Sequence, residues 1–283
     1  MPTPFHETHE FDARSSEEVV KHFRRLLESD DDDGASMALV TYRGGLDEFY
    51  LGQHYACSAD PLDRVTGAML LGQLGWGDQT FQEESVDILI SLLQDTDTRV
   101  VEAALNALGH RTFGRSIPFI LPLAEHQDKK VRLAVAFSLG GRHADADAIR
   151  TLVMLAGDED RDVRNWAAFG LGSMTELDTP ELRDALAGLL SEEDDEIRGE
   201  ALIGLARRHD ARALPALVAE LKGPFGGSWC LEAAELLAES SLLPLLIDLR
   251  GRVNEVDAAA FARDFEDAIA ACGKIGDPQS PSD

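Results

Sequence analysis

The stretch DRDVRNWAAFGLG, residues 160–172, decides the fold, because four other segments of the chain repeat its pattern. These segments are DRVTGAMLLGQLG (63–75), DTRVVEAALNALG (97–109), DKKVRLAVAFSLG (128–140) and DDEIRGEALIGLA (194–206). A weaker copy, GGSWCLEAAELLA, spans residues 226–238, and a last unit ends in DAIAACGKIG at residue 276. Matching positions lie 31 to 35 residues apart, at Thr66, Val100, Val131, Val163, Ile197, Trp229 and Asp264. Such a period indicates stacked supersecondary units.

Each repeated segment has the features of one helix. Asp160 stands before the apolar pattern and can accept hydrogen bonds from the first backbone N–H groups, as an N-cap does. Val163 and the residues four and eight places further on share one helical face. A second, less regular helix is predicted between successive segments, for example in SIPFILPLA (116–124) and TPELRDALAGLL (179–190). Because one helix pair cannot bury its apolar face alone, we predict an all-α fold, a right-handed α-solenoid of about seven helix pairs.

The pattern D-x-x-V-R-x-x-A-x-x-A-L-G resembles that of HEAT repeats, especially the short bacterial HEAT-like type first named for phycobilisome lyases. The resemblance covers roughly Leu46 to Gly276. It implies an Asp–Arg ladder between adjacent repeats, formed by Asp97, Asp128, Asp160, Asp194, Arg132, Arg164 and Arg198. We expect the ladder to fail where Gly67, Val101 and Cys230 replace the arginine. The same repeats serve scaffolds, lyases, glycosylases and inhibitors, so they specify a fold better than a function.

The ends of the chain differ from the repeats. Residues 1–14 are polar and predict a disordered tail, and residues 277–283 predict another. Residues 15–45 predict an N-terminal capping helix followed by a linker, and the repeat array is predicted over residues 46–276. The capping helix opens at Ser16 and has one apolar face, formed by Val19, Val20, Phe23, Leu26 and Leu27.

The formal net charge of −26, from 52 acidic and 26 basic residues, bears most directly on the partner. Nucleic acid is a polyanion that such a chain repels at long range, so we expect no nucleic acid and a basic protein partner instead. No apolar run is long enough for a membrane span, and the N-terminus does not resemble a signal peptide. We therefore expect no membrane association and a cytoplasmic location, which three scattered cysteines also favour.

Patterns that carry chemistry were sought among the histidines and the known catalytic motifs. His6-Glu7 and His9-Glu10 resemble the iron-binding pairs of deoxyhypusine hydroxylase, another HEAT protein, but both lie in the predicted tail and no repeat contains such a pair. His143 and His209 stand two repeats apart, too far to share a metal ion. No phosphate-binding loop, G-x-S-x-G or H-E-x-x-H motif occurs. We predict no catalytic residue, no metal and no cofactor, and therefore a protein that is not an enzyme.

The second helices line the concave surface in HEAT-like stacks, so the resemblance places the binding surface there. Positions two and six after each apolar start are expected to face outward. Our predicted partner-binding residues are Glu102, Asn106, Leu133, Phe137, Asn165, Trp166, Phe169 and Ile203, with Gly199, Leu231 and Glu235 at equivalent positions. Aromatic side chains ringed by polar groups are typical anchors at protein interfaces. The alternative is that Phe137, Trp166 and Phe169 pack between neighbouring repeats.

These observations favour a protein-binding scaffold, an adaptor or an inhibitor that holds a basic protein on its concave face. Two enzyme classes with similar repeats are alternatives. A bilin chromophore lyase is suggested by the repeat class alone. A HEAT-like DNA glycosylase needs a basic groove, which the net charge of −26 opposes.

Overall fold

The computed structural model describes residues 12–29, 35–74, 81–111, 114–140, 145–225 and 227–273. Within those ranges all regular structure is helical and no strand occurs. The chain divides into two compact units, which we call unit 1 (residues 1–139) and unit 2 (residues 140–283). Most of the predicted N-terminal tail, the predicted C-terminal tail, both His-Glu pairs and His143 lie outside the described residues.

Unit 1 contains eight α-helices in its described part. They are α1 Ser16–Glu28, α2 Ala35–Arg43, α3 Leu46–Ala56, α4 Pro61–Gln73, α5 Gln82–Leu92, α6 Thr98–Arg111, α7 Ile117–Ile120 and α8 Lys129–Leu139. Helices α3 and α4 form one pair and α5 and α6 the next, and α4, α6 and α8 pack against one another in sequence. Helix α8 packs against the 3₁₀ turn Leu121–Glu125, which directly follows α7.

Helix α1 begins where the sequence predicts it and packs against α2 and α4. Ser15 and Glu18 form a capping box, in which each side chain binds the other residue's backbone N–H. Val19 and Val20 are fully buried in a cluster that includes Val40 and Leu70. The predicted N-terminal capping helix is therefore present; Val19, Val20 and Phe23 of its apolar face are buried, and Leu26 and Leu27 are half-buried.

Helix α7 is much shorter than the pattern SIPFILPLA predicts. It covers four residues and continues as a 3₁₀ turn, Leu121–Glu125. Pro118 lies in the first turn of α7, where the N–H that proline lacks would have no partner in the helix. In a continuing α-helix, the backbone N–H of residue 122 would donate to the backbone oxygen of Pro118. Pro122 has no N–H, so the α-helix cannot continue through it.

The sequence pattern aligned the segment at residues 63–75 with the other repeats three residues away from the register that the structure shows. The N-cap of α4 is Asp60, not Asp63, just as the N-cap of α10 (Arg161–Gly172) is Asp160. Counted from the caps, Asp63 and not Thr66 corresponds to Val163. The pattern concealed this because the polar Asp63 stands at an apolar position, whereas Thr66 is fully buried.

Unit 2 contains nine α-helices in its described part. They are α9 Ala146–Leu155, α10 Arg161–Gly172, α11 Pro180–Leu189, α12 Asp195–Arg207, α13 Ala213–Lys222, α14 Trp229–Leu237, α15 Leu243–Arg252, α16 Glu255–Ala260 and α17 Ala262–Gly273. The pairs are α9 with α10, α11 with α12, α13 with α14, and α15 with α17. The second helices α10, α12, α14 and α17 also pack in sequence. With three pairs in unit 1 and four in unit 2, the predicted all-α fold of about seven pairs is confirmed.

The aspartate and arginine that recur in each repeated segment make contacts that differ from those of the predicted ladder. Each cap aspartate binds its own helix: Oδ1 of Asp160 accepts from the backbone N–H of Asp162 at 3.0 Å. Nη1 of Arg164 donates to the backbone oxygens of Asp158 and Glu159, and its Nε donates to Oε1 of Glu192 in the next pair at 3.1 Å. Arg164 thus ties its own turn to a carboxylate that is not a cap, whereas the cap Asp194 pairs with Arg161 of the preceding repeat.

Equivalent arginines repeat this arrangement in both units. The corresponding pairs are Arg64 with Asp95 and Arg198 with Glu220. Arg64 stands four residues after the Asp60 cap, so the gap predicted from Gly67 at the first repeat was wrong. The arginine of this arrangement stands four residues after the cap. Because the sequence pattern placed the cap at Asp63 and not at Asp60, the role of Arg64 was not recognised.

Candidate protein-binding face

Helices α10 and α12 of unit 2 leave a strip of side chains outside the core. Helix α12, for example, packs against α10, α11, α13 and α14. The strip of exposed and half-buried residues runs through Asp162, Trp166 and Phe169 on α10, Ser173 directly after it, and Glu196, Glu200 and Arg207 on α12. Successive members are three, four or seven residues apart, as residues on one helical face must be.

Trp166 is the largest apolar side chain on this strip. It is 37% exposed, and its ring meets the ring of Phe169 edge to face, with centroids 5.7 Å apart and an interplanar angle of 87°. This is a favoured geometry for aromatic pairs, so Phe169 restricts the orientation of the indole. Asn165, next to Trp166, donates from Nδ2 to Oε2 of Glu196 at 3.3 Å. The aromatic pair therefore stands beside a carboxylate of the following helix.

Two further carboxylates lie near this pair, Glu200 on α12 and Glu232 on α14. Oε2 of Glu200 accepts from Oγ of Ser173 at 2.5 Å. Burial raises the pKa of Glu200 above its usual value, although the Ser173 hydroxyl acts in the opposite direction. Oε1 of Glu232 accepts from Nη2 of Arg207 at 3.0 Å. We refer to Trp166, Phe169, Glu196, Glu200 and Glu232 together as the acidic face.

Arg161 and Arg207 neutralise part of the negative charge on the acidic face. Nη2 of Arg161 donates to Oε2 of Glu196 at 2.5 Å, and Nε donates to Oδ2 of the cap Asp194 at 2.8 Å. The carboxylates on and beside the face, Asp162, Asp194, Glu196, Glu200 and Glu232, outnumber these two guanidinium groups. The surface can therefore attract cations and offer them hydrogen-bond acceptors, with an apolar anchor at one side.

Three of the four residues predicted in unit 2 lie on or next to this strip. Trp166 is exposed, and Asn165 and Phe169 are half-buried. The outward orientation predicted for Ile203 was wrong, because its side chain is only 2% exposed. Gly199 and Leu231 are buried as well, whereas Glu235 is exposed. Packing on both flanks of α12 covers positions that an isolated amphipathic helix would leave in water.

The four residues predicted in unit 1 are half-buried. Glu102 and Asn106 lie on α6, and Leu133 and Phe137 lie on α8. Burial raises the pKa of Glu102, which the positive charge of Lys130 partly opposes.

Phe137 packs between neighbouring repeats, which was the alternative that the sequence left open. Its ring meets that of His110 edge to face at 5.2 Å. A Cβ atom at Gly109 would lie 2.7 Å from Cε1 of Phe137, so the phenyl ring occupies space that only glycine leaves free. Phe137 therefore joins α6 to α8 and does not resemble Trp166 in its surroundings.

Glu196, Glu200 and Glu232 are not among the residues predicted from the sequence. The first two stand one residue before and three residues after the apolar start Ile197, not at the expected second and sixth positions. The missed signal was the set of small residues near the end of each segment, such as Gly204 and Ala206, both of which are buried. They widen the covered side of the helix and shift its exposed strip.

The described residues hold no group of three or more His, Cys, Asp or Glu side chains arranged to bind a metal ion. Cys57 is exposed, and Cys230 and Cys272 are buried. None of the helices found in the described ranges has the length and apolar character needed to cross a membrane.

Comparison with known proteins identifies relatives that share both sequence and fold. A family model described as HEAT repeats matches residues 117–187 and 155–224. Protein YibA from Escherichia coli K12 is 30% identical over 221 residues, which cover 75% of this chain and 77% of YibA. The crystal structure of E. coli YibA matches with a TM-score of 0.68 at 26% identity, covering 93% of this chain and 100% of that chain.

A more distant match concerns the fold alone. The crystal structure of an engineered protein is 17% identical to this chain, with a TM-score of 0.57. The match covers 91% of this chain and 79% of the engineered protein.

Proposed function

We propose that this chain, which belongs to the HEAT-repeat family that includes YibA, is a protein-binding scaffold whose acidic face holds a basic segment of a partner. One observation carries the proposal: the edge-to-face pair of Trp166 and Phe169 stands beside a row of carboxylates on α12 and α14. Tryptophan is enriched among the residues that contribute most of the binding energy at protein interfaces. The carboxylates would steer a basic partner and fix its register.

Binding, and not catalysis, is the simplest role for this surface. The bilin lyase and DNA glycosylase alternatives rest on the repeat class alone, and no observation on the described residues favours either. The net charge of −26 opposes a polyanionic substrate. Three free cysteines support a reducing compartment, so we place the scaffold in the cytoplasm.

The proposal is tested with a set of fluorescent Lys- and Arg-rich peptides, each with one apolar residue. We expect the intact protein to bind members of this set, with affinity falling as salt rises. Trp166→Ala should weaken binding by about 30-fold, which is the loss expected for an interface hot spot. Fluorescence anisotropy measures both effects.

Met154→Ala is the matched control, because Met154 is an exposed apolar residue of unit 2 that lies on α9, outside the acidic face. It should leave the affinity unchanged. Equal binding by the folded Trp166→Ala protein, or no binding of any basic peptide at low salt, would contradict the proposed function.

A further inference from the structure

A cavity of about 120 Å³ lies in unit 2, where α12 and α13 meet the start of α14. Its walls are largely apolar and come from Leu190, Gly199, Leu202, Ala216, Ala219 and Trp229. Cys230 completes the wall, and Asp195, Arg198 and Glu220 also line the cavity. Nothing in the acidic face described above belongs to it, so it is a separate feature of the fold.

The indole of Trp229 forms one wall and is held between two glycines. A Cβ atom at Gly199 would lie 2.5 Å from Cγ of Trp229, and one at Gly227 would lie 2.6 Å from Cζ3. Gly227 has a φ of +129°, which other residues rarely adopt. Both positions therefore require glycine while the indole is in place. A side chain fixed in this way gives the cavity a rigid aromatic wall.

Cys230 contributes an uncharged wall and not a nucleophile. Its Sγ donates to the backbone oxygen of Gly227 at 3.3 Å. Burial, reinforced by the negative charge of Glu220, raises the pKa of the Cys230 thiol to about 12. At neutral pH the thiol is therefore protonated, and a protonated thiol is a poor nucleophile.

The charged residues of the cavity differ in the number of hydrogen-bonding groups that remain available to a ligand. Arg198 uses its guanidinium within the protein: Nε donates to Oε1 of Glu220 at 3.1 Å, and Nη1 donates to the backbone oxygens of Glu192 and Glu193, both at 2.8 Å. Its Nη2 binds Asp195. Each carboxylate can accept several hydrogen bonds, and one from Arg198 does not exhaust Glu220. The cavity therefore offers acceptors to a ligand and few donors.

We propose that this cavity binds a small primary amine, whose apolar body fills the space against Trp229 while its ammonium group donates to Glu220. An apolar protein cavity of about 150 Å³ accommodates benzene. The present cavity, at about 120 Å³, is somewhat smaller, so a single aromatic ring or a branched alkyl group is the upper limit of size. A carboxylate or phosphate ligand would meet Glu220 and Asp195 with like charge, and four of the five N–H groups of Arg198 already donate within the protein. The inference does not depend on the protein partner proposed above.

The experiment titrates the full-length protein with benzylamine, toluene and benzoate while the indole and glycine amide signals are followed by NMR. Benzylamine should change the chemical shifts of the Trp229 indole N–H and of the Gly199 and Gly227 amides. The chemical shift of the Trp166 indole N–H should not change. Toluene lacks the ammonium group and should bind about tenfold more weakly, as expected for loss of a charge-assisted hydrogen bond. Benzoate should not bind.

Glu220→Gln keeps an acceptor for Arg198 but removes the charge, and should lower benzylamine affinity about tenfold without affecting toluene. Glu235→Gln removes an exposed carboxylate on α14 outside the cavity and is the matched control. Benzoate binding as tightly as benzylamine, equal affinities for benzylamine and toluene, or shifts confined to residues away from Trp229 would each overturn the proposal. These ligand comparisons use the unaltered protein, so they decide the matter even if a variant fails to fold.

Discussion

Glu200 contributes a negative charge to the acidic face, and the same charge lowers the stability of the fold. Its carboxylate is half-buried between α10 and α12 and is held by the Ser173 hydroxyl. Burial raises its pKa, which means that the folded chain binds the proton more tightly than the unfolded chain does. The stabilising contribution is complete below the unfolded pKa and is lost as the pH rises through the folded pKa. Near neutral pH the ionised carboxylate therefore destabilises the fold.

Glu200→Gln should consequently raise the melting temperature near pH 7, and the gain should shrink as the pH falls towards about 5. The glutamine oxygen can still accept the hydrogen bond from Ser173. Thermal unfolding followed by circular dichroism at several pH values measures the effect. Glu235→Gln removes one negative charge from an exposed site on α14 and controls for net charge. A gain of the same size in both variants would contradict the prediction.

At the scale of helices, α10 and α12 approach so closely that their glycines are in contact. A Cβ atom at Gly204 would lie 2.6 Å from Cα of Gly172 and 2.7 Å from Cδ1 of Leu186. In the reverse direction, a Cβ atom at Gly172 would lie 2.3 Å from the backbone oxygen of Glu200. Small residues at these positions let neighbouring repeats stack, and they also set the spacing of the acidic face.

Gly204→Ala should therefore destabilise the protein by about 1–3 kcal/mol, the range for overpacking a core. Alanine normally stabilises a helix relative to glycine, so the expected sign is reversed here. Gly188→Ala on α11 is the matched control, since nothing lies within 4 Å of a Cβ atom there, and it should stabilise by about 0.5–1 kcal/mol. Urea unfolding of both variants provides the comparison. Stabilisation by Gly204→Ala would show that the helices are not in this contact.

Element boundaries could be read from the sequence where local chemistry sets them. The helix starts predicted at Ser16, at the segment beginning with Thr179 and at the cap Asp160 are confirmed by the structure. The pattern failed at the segment around Pro122, where periodicity continued although the backbone could not. Periodicity records which side chains are apolar, whereas a proline acts on the hydrogen bonding of the backbone itself.

For the whole chain, the excess of 52 acidic over 26 basic residues predicts self-repulsion in the folded state. Ion pairs such as Arg64 with Asp95 offset only part of this excess. Raising KCl from about 0.01 to about 0.2 M shortens the Debye length from about 30 Å to below 10 Å and screens the repulsion. The melting temperature should rise over this range.

Screening depends on ionic strength alone, so NaCl should give the same rise as KCl at equal concentration. Differential scanning calorimetry measures both series. A melting temperature that falls with ionic strength would mean that attractive ion pairs outweigh the repulsion, contrary to the prediction.

The candidate site was predicted only in part, for reasons visible in single residues. Trp166 was predicted as the neighbour of Asn165 at the border of the aromatic patch, and it is exposed in the structure. Ile203 was misplaced, although it occupies the same helical position as Phe169. Neighbouring helices cover Ile203 almost completely and leave Phe169 half-buried. Burial at a given repeat position thus depends on the next repeat as well as on the position.

The all-α class, the number of helix pairs and the caps of several second helices could be predicted from the sequence, because these follow from periodicity and from hydrogen bonds within a few residues. The packing of repeats on one another determines which strip of α10 and α12 stays exposed, which carboxylate each arginine binds, and where the cavity beside Trp229 lies. Those features arise between repeats, where glycines such as Gly199 and Gly204 set how closely helices approach. A pattern that describes one helix at a time contains no measure of that distance.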